Sequence, residues 1–406
     1  MGASVNPSGL STQYQRLIQR TLQIESQPKL DLENRREQKK NTKSIVSDLD
    51  GKLSSLQSQL SSLTDPTASP FEGRSASAEE GTEAFSVSAD KTASTGSYSL
   101  AVNRLASADG RVSQTYDADQ SGLADFFANN GAQTFSVEVA TPSQSQDRTA
   151  IDVTVDSDGA TNKEVLNDIQ SAIDSAFQSA VDDGTISSDE RPSVSVLNPT
   201  SGTARLSLRS SQTGYQGRLG FTDTDTLLSE LQVNANQLAD DTQGGEITEV
   251  GTDEGSSKLT SEFKLNGLTF TRNSNEVTDA VDGVTISLDE ATGTESSFEV
   301  AADEEGAKSA VTEFIDRFNE VNSFLQNKTE VDPESDDRGP LANDSTFQRL
   351  QRQLRSDATR PVSGQPETLS TLADIGIEAN RDGTLELTTT GRKLRDLREN
   401  PRVSIA

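Results

Sequence analysis

The sequence predicts a multidomain α+β protein, in which a discontinuous α-helical coiled-coil or bundle domain from both chain ends carries two inserted β-rich domains. Three observations lead to this fold class. Apolar residues recur at helical spacing near both chain ends, whereas in between they alternate with polar residues along short segments. The chain has 406 residues of which 31% are hydrophobic, so it has room for several thin domains with small cores.

The N-terminal helical pattern covers residues 10–64 and ends in a leucine repeat. Five leucines follow one another in steps of 4, 3, 4 and 3 residues: Leu49, Leu53, Leu56, Leu60 and Leu63. This heptad spacing forms a narrow stripe that packs against another helix. Pro28 has no amide N–H, so we expect it to kink or interrupt the helix, and we expect Asp65-Pro66 to end it.

The C-terminal helical pattern begins near residue 307. Its apolar residues step by 3, 4, 3 and 4: Val311, Phe314, Phe318, Val321 and Leu325. Two interpretations of the stripes stay open: they close a helical bundle within each subunit, or they join subunits. The candidate seam and oligomerisation residues are Leu49, Leu53, Leu56, Leu60, Leu63, Phe314, Phe318, Val321 and Leu325.

Shorter elements follow the C-terminal stripe. A polar break spans 332–339, and Phe347, Leu350 and Leu354 mark a second helix capped by Asp344 or Ser345. A small hairpin is expected around Asp382-Gly383. A short helix is expected over 390–399.

The middle of the chain has the two-residue period of half-solvated strands. The clearest alternating runs are 85–89, 98–102, 135–139, 151–155 and 205–209. Asn266-Gly267 lies between two such runs, which predicts a hairpin with a type I′ turn. One helix is expected near 163–180, with Val165, Ile169, Ile173 and Phe177 on one face.

These patterns predict four parts. Residues 1–40 form a flexible N-terminus and a terminal coiled-coil helix, and 41–70 join 306–406 in the discontinuous helical domain. Residues 71–107 join 225–305 in one β-rich domain. Residues 108–224 form the inserted β-rich domain with one helix.

The composition argues against an enzyme. The chain has no His and no Cys, which removes the commonest general base, the thiol nucleophile and the usual transition-metal ligands. Asp182-Asp183 and Asp240-Asp241 lie in polar stretches and are interpreted as surface. We identify no catalytic, cofactor-binding or metal-binding residues and expect no cofactor.

One acidic stretch has a superficial likeness to a calcium loop. Asp332, Glu334 and Asp336 occupy the first, third and fifth positions of such a loop. Position six is Asp337 where the turn needs Gly, and position twelve is Asn343 where the ion needs a bidentate Glu. A solvated acidic loop is the favoured interpretation.

The charge of the chain is concentrated in the middle. Residues 71–310 carry 14 Lys and Arg against 41 Asp and Glu, a net charge of −27, while the whole chain carries −29. Such charge repels nucleic acid and anionic membranes, so we expect neither as a partner. The acidity, with 12 Lys against 24 Arg, is also typical of a protein that works in high salt.

The sequence predicts neither a cleaved signal peptide nor a membrane-spanning segment. The first residues lack a basic segment followed by an apolar stretch, so no cleaved signal peptide is expected. No run of about 18 apolar residues occurs, so no membrane insertion is expected.

The order of several motifs resembles the flagellar filament cap family, also called hook-associated protein 2 or FliD. The N-terminal motifs are Ser8-Gly9-Leu10, Glu25-Ser26-Gln27-Pro28 and the run 96–106, and the segments 134–137, 162–177 and 204–214 resemble the "hook IN" motif within the inserted domain. The resemblance is strongest in the segments 263–267, 275–285, 314–319, 339–344, 375–377 and 382–385.

The resemblance implies an extracellular protein at the tip of the bacterial flagellum, exported by the flagellar type III apparatus. It implies an oligomeric ring of this chain, expected to be a pentamer, that promotes the folding and insertion of flagellin and is needed for filament elongation and motility. Further implied partners are the hook–filament junction proteins and an export chaperone. Members of the family normally continue past the position of Pro401 into a long C-terminal helix that pairs with the N-terminal one, whereas this sequence ends at Ala406 and is expected to lack that helix, so residues 10–40 are expected to lack their partner. Some members of the family also adhere to cells.

Two other classes of protein stay open. A hook–filament junction protein or flagellin would share the terminal helices but not the order of the 275–285 and 339–344 motifs. A surface adhesin would bind a ligand through the middle domain alone.

Overall fold

The computed structural model describes residues 12–331, 338–362 and 370–388, with side chains described from residue 16 onward. The chain divides into two compact units. One comprises the residues up to Gly73 together with those from Ala302 onward, and the other comprises Arg74–Ala301. We call them the helical unit and the middle unit.

The helices are assigned over the described residues. In chain order they are α1 (Thr12–Leu63), α2 (Gly122–Asn130), α3 (Asn162–Asp182), α4 (Leu227–Leu231), α5 (Glu304–Thr329) and α6 (Ser345–Thr359). Two short 3₁₀ helices cover Pro70–Glu72 and Leu372–Ile375.

The strands lie almost entirely in the middle unit. In chain order they are β1 (Arg74–Ala78), β2 (Phe85–Ala89), β3 (Gly96–Arg104), β4 (Ala108–Val112), β5 (Tyr116–Asp117), β6 (Gln133–Ala140), β7 (Arg148–Val155), β8 (Ser193–Leu197), β9 (Thr203–Thr213), β10 (Gly220–Asp223), β11 (Gly245–Glu246), β12 (Ser261–Leu265), β13 (Leu268–Arg272), β14 (Glu276–Val281), β15 (Val284–Leu288), β16 (Glu295–Ala302), β17 (Ile377–Ala379) and β18 (Leu385–Leu387). The predicted fold class, helical ends around a β-rich middle, is confirmed.

Helix α1 is one continuous helix through Pro28, so it is not interrupted there, whereas the alternative expectation of a kink stays a prediction. The side chains around Pro28 are exposed. The backbone carbonyl that loses its partner at the proline can therefore bond to water, which limits the cost of the missing hydrogen bond.

The two C-terminal helices begin at aspartate caps. Asp303 accepts a hydrogen bond from the backbone N–H of Gly306 at the start of α5, and Asp344 accepts one from Thr346 at the start of α6. Such caps satisfy amide groups that have no partner within the helix. Of the two caps proposed for α6, the structure selects Asp344. The expected helix over 390–399, and most of the break over 332–339, lie outside the described residues.

Two β-sheets surround one core of the middle unit. The first has the strand order β1-β16-β3-β12-β13 and the second the order β14-β15-β2. Phe85, Phe263 and Phe298 are buried in the core between them. The hairpin predicted at Asn266-Gly267 joins β12 to β13, and both residues have the positive φ that a type I′ turn requires, 50° and 81°.

A second core of the middle unit lies around α3. The sheets β10-β6-β7 and β11-β4-β9-β5 contribute to it, with β8 paired to β9. Val165, Ile169, Ile173 and Phe177 are buried on one face of α3, as predicted. A Thr161–Glu164 capping box begins this helix, which explains why it starts where it does.

The prediction of a single helix in this region was incomplete, because α2 and α4 are also present. They have 9 and 5 residues. Helices this short complete too few turns to show a 3.6-residue period against the surrounding strands.

Candidate interaction site in the helical unit

The predicted helix seam is a single buried core formed by α1 and α5. Leu49, Leu56 and Leu63 of α1 are buried in it, and Leu53 and Leu60 are half-buried at its edge. The α5 residues Phe314, Phe318, Val321 and Leu325 are all buried in the same core. The chain thus brings all nine predicted seam residues together. Their role in joining subunits stays a prediction.

Polar contacts flank the seam. The amide Nε2 of Gln59 donates a hydrogen bond of 3.0 Å to the backbone carbonyl of Ala310. Lys52 Nζ lies 3.5 Å from a carboxylate oxygen of Glu320. Because both groups of this ion pair are partly exposed, it adds little stability, and the apolar core holds the two helices together.

The N-terminal part of α1 makes no comparable contacts. From residue 16 to residue 44 every side chain is exposed, and burial begins at Ile45. The exposed apolar side chains in this stretch are Leu17, Ile18, Leu22, Ile24, Leu30 and Leu32. A helix gains most of its stability from the packing of one face, so this stretch is a natural place for a partner helix.

A pair of asparagines on α5 holds the β17–β18 hairpin. Asn319 Nδ2 donates to the carbonyl of Leu385 at 2.8 Å, and the N–H of Leu385 donates back to Asn319 Oδ1 at 2.7 Å. One turn later Asn322, fully buried, accepts a hydrogen bond from Arg355 Nε at 3.2 Å. The hydrophobic pattern did not reveal these contacts, because the two ends of each bond lie far apart in sequence.

An asparagine of the middle unit makes a similar pair of bonds. Asn275 Oδ1 accepts the N–H of Ala106 at 2.6 Å, and its Nδ2 donates to the Ala106 carbonyl at 3.1 Å. Asn275 and Asn319, together with Ala106 and Leu385, all belong to the motifs that carried the family resemblance. The motifs therefore mark tertiary contacts within each unit.

The two aspartate pairs noted in the sequence lie on the surface. Asp240 is exposed, and hydrogen bonds from the Gln243 and Thr242 backbone and the Thr242 hydroxyl lower its pKa. Asp182, Asp183 and Asp241 are exposed as well. Within residues 12–331, 338–362 and 370–388, no three His, Cys, Asp or Glu side chains are grouped so that they could hold a metal ion. Asp332, Glu334, Asp336 and Asp337 lie outside those ranges.

No helix in the described part of the chain combines the length and apolar character needed to cross a membrane.

Comparison with known proteins gives matches at both chain ends. The model for the N-terminus of flagellar hook-associated protein 2 matches residues 8–109, and the model for its C-terminus matches 260–402. The A-type flagellar hook-associated protein 2 of Pseudomonas aeruginosa is 26% identical over 360 residues, which cover 84% of this chain and 67% of that protein. The flagellar hook-associated protein 2 of Salmonella typhimurium is 34% identical over 128 residues, or 30% of this chain and 26% of that protein.

The fold has a counterpart among solved structures. The crystal structure of the D1-D2-D3 domains of the flagellar cap protein FliD from Escherichia coli superposes with a TM-score of 0.59 at 22% identity, and the match covers 89% of each chain.

The family matches at both chain ends, together with a helical unit built from those ends, place the chain among the hook-associated proteins of the bacterial flagellum. The chain belongs to the flagellar filament cap family, hook-associated protein 2 or FliD.

Proposed function

We propose that this chain forms the cap at the tip of a flagellar filament, where an oligomeric ring promotes the folding and insertion of exported flagellin. One observation carries the proposal. Segments more than 240 residues apart in sequence form one helical core, and they correspond to the two segments that match the family. The helical unit, built from both chain ends, would then supply the helical part of the cap, and the middle unit is the segment inserted between those ends.

The partners follow from this role. The chain would bind further copies of itself, in a ring expected to be a pentamer. It would also bind flagellin and the hook–filament junction proteins. Before export a chaperone would bind the chain, and the type III apparatus would export it without a cleaved signal peptide. The cap works by binding and positioning flagellin, without catalysis.

We retain the four-part division as a proposal. The core that contains Phe85, Phe263 and Phe298 and the core around α3 comprise different residues, which supports two β-rich domains within the middle unit. The core around α3 also contains Leu227, Leu228, Leu231 and Val233, so the inserted domain extends beyond the predicted boundary at residue 224. The exposed stretch of α1 before Ile45 supports a terminal segment that pairs with another helix.

The function can be tested in the bacterium that carries this gene. Deletion should abolish filaments and release monomeric flagellin into the medium, and restoring the intact gene should restore both filaments and motility. A fluorescent label on the protein should give one focus at the distal end of each filament. Normal filaments in the deletion strain would contradict the proposal, and a focus at the proximal end would favour a junction protein.

A further inference from the structure

An arginine-lined groove runs between α6 and the β17–β18 hairpin in the helical unit. Its volume is about 430 Å³, and three guanidinium groups line it, those of Arg352, Arg355 and Arg381, together with Ser356, Thr359 and Asn380. Among the described residues no carboxylate lines this groove. The groove is unexpected on a chain whose net charge is −29.

The first of these guanidinium groups is fixed in place. Arg355 Nε donates to Asn322 Oδ1 at 3.2 Å, and its Nη2 donates to the backbone carbonyl of Asp382. Gly383 makes this possible, because a Cβ atom at this position would collide with the Arg355 guanidinium. Gly383 also has a φ of +84°, which other residues rarely adopt. The wall of the groove is therefore built before any ligand arrives.

The other two arginines are available to a ligand. Arg352 and Arg381 are exposed, and neither forms an ion pair within the described part of the chain. Two acidic residues close to the groove in sequence already have partners. Asp357 pairs with Arg360 at 3.4 Å, and the Asp382 carboxylate accepts hydrogen bonds from the N–H and the hydroxyl of Thr384.

The chemistry of the groove selects carboxylates. A guanidinium group presents two parallel N–H donors that match the two oxygens of a carboxylate, and the two available groups, those of Arg352 and Arg381, favour a segment with more than one acidic side chain. The chain itself offers such a surface. Its middle unit, Arg74–Ala301, has 13 Lys and Arg against 37 Asp and Glu, a net charge of −24.

We propose that this groove binds acidic side chains of the middle unit of a second copy of the chain. Two copies repel one another at long range because of their net charge. A contact that matches arginines with carboxylates offsets this repulsion locally and fixes which surfaces meet. The proposal rests on the proposed function as a self-assembling cap, and it assigns one of the contacts of that assembly.

The first test measures self-association of the full-length protein by sedimentation velocity between about 50 and 500 mM NaCl. The variant Arg352→Glu/Arg381→Glu should raise the dissociation constant at least about tenfold at the low-salt end, and less at high salt. The matched control, Arg338→Glu/Arg349→Glu, changes the charge equally on exposed residues that do not line the groove, and should have a smaller effect. Circular dichroism establishes that each variant is folded.

The second test locates the partner surface. In the variant Arg352→Lys/Arg381→Lys the positive charges remain, and the introduced amines can be joined to carboxylates by a zero-length carbodiimide cross-linker. A mixture of nitrogen-14 and nitrogen-15 protein should give mixed-isotope cross-links from positions 352 or 381 to acidic residues within 74–301.

The outcomes separate the two proposals. Suppose that the parent protein assembles and that the glutamate variant has the same dissociation constant as its control. The groove then has no part in assembly and this inference is wrong, whereas the cap function stands. Cross-links confined to one copy, or to residues outside 74–301, would also overturn the inference. If the parent protein does not assemble under any condition, the ring itself is contradicted.

Discussion

Asn319 and Leu385 exchange two hydrogen bonds, 2.8 and 2.7 Å long, so that the side-chain amide of a helix binds the main chain of a strand as a neighbouring strand would. Strand β18 pairs only with β17 among the described strands, and Asn319 supplies its other edge with the missing partners. Asn322 follows one turn later and contacts Arg355. The two asparagines thus attach the hairpin and α6 to α5.

We predict that Asn319→Ala lowers the free energy of unfolding by about 1–3 kcal/mol, because the Leu385 N–H and carbonyl each lose a partner. Urea denaturation followed by circular dichroism measures the change. Asn327→Ala, on the exposed side of the same helix, is the control and should change stability by less than about 0.5 kcal/mol. Equal effects of the two substitutions would show that the exchange contributes nothing.

The seam gives a graded prediction. Leu56→Ala should cost about 2–5 kcal/mol, because a cavity remains in the core between α1 and α5. Leu60→Ala should cost less, because that side chain is only half-buried. Leu17→Ala, where the side chain is 61% exposed, should leave the stability of the isolated chain unchanged. Urea denaturation measures the free energy of unfolding of the three variants. A large decrease for Leu17→Ala would contradict the ranking and show that this side chain has a contact within the chain.

Two glycines should respond to alanine with opposite signs. Gly51 lies in the exposed interior of α1 with open space around it, so Gly51→Ala should stabilise the protein by about 0.5–1 kcal/mol. Gly267 also has open space but has φ +81° in the hairpin turn, so Gly267→Ala should destabilise it by about 1 kcal/mol. Melting temperatures provide the measurement. If both changes had the same sign, backbone conformation would not be the deciding factor.

The loss of the free energy of unfolding at acid pH should depend on aspartates that accept hydrogen bonds in the folded state. The pKa of Asp240 is lowered from its ordinary 3.8, first by the Gln243 backbone N–H and then by Thr242. A lowered folded-state pKa means that its contribution is present above about pH 4 and is lost as the pH falls through the lower folded value. Asp240→Asn should therefore make the loss of stability below pH 4 shallower. Asp241→Asn removes the same charge next door and is the control, and identical pH profiles for the two would contradict the prediction.

The net charge of −29 gives a prediction about salt. Repulsion within the middle unit is relieved by counterions, so the free energy of unfolding should rise steadily as NaCl increases toward molar concentrations. Thermal melts at constant pH measure it, and NaCl is compared with equal osmolality of sucrose to separate charge screening from water exclusion. Stability that stays flat or falls with salt would count against a salt-adapted protein.

The sequence predicted those parts of the fold that have a local cause. The Asn266-Gly267 turn, the buried face of α3 and the leucine stripe of α1 are each determined by residues that lie close together in sequence. The structure confirms all three. Contacts between distant residues were not predictable in this way. Arg111 is an example, because it is buried in ion pairs with Asp109 at 3.0 Å and with Glu246 at 3.4 Å. The residues near Arg111 in sequence do not indicate that Glu246 is its second partner.

The candidate site shows the same division. The nine seam residues were chosen from spacing alone, since helical periodicity is a local property, and they share one core within the chain, while their role in joining subunits stays a prediction. The groove beside α6 was not identified, because its arginines come from positions 352–381 and meet only when Gly383 and Asn322 position the hairpin. Pro28 does not interrupt α1, and its residue type alone could not show this, because the outcome depends on the exposed surroundings that leave the helix backbone accessible to water.

The backbone N–H of Asp303 donates to the carbonyl of Gly73 at 3.1 Å, so the chain leaves the helical unit and returns to it at neighbouring points. Any segment whose two ends lie close together can in principle be spliced between these points without stretching the helices. The helical unit therefore offers one insertion point, formed by Gly73 and Asp303, for a segment whose ends are close together. The segment between Gly73 and Asp303 can therefore change in length without separating the two points at which the helical unit is joined to it.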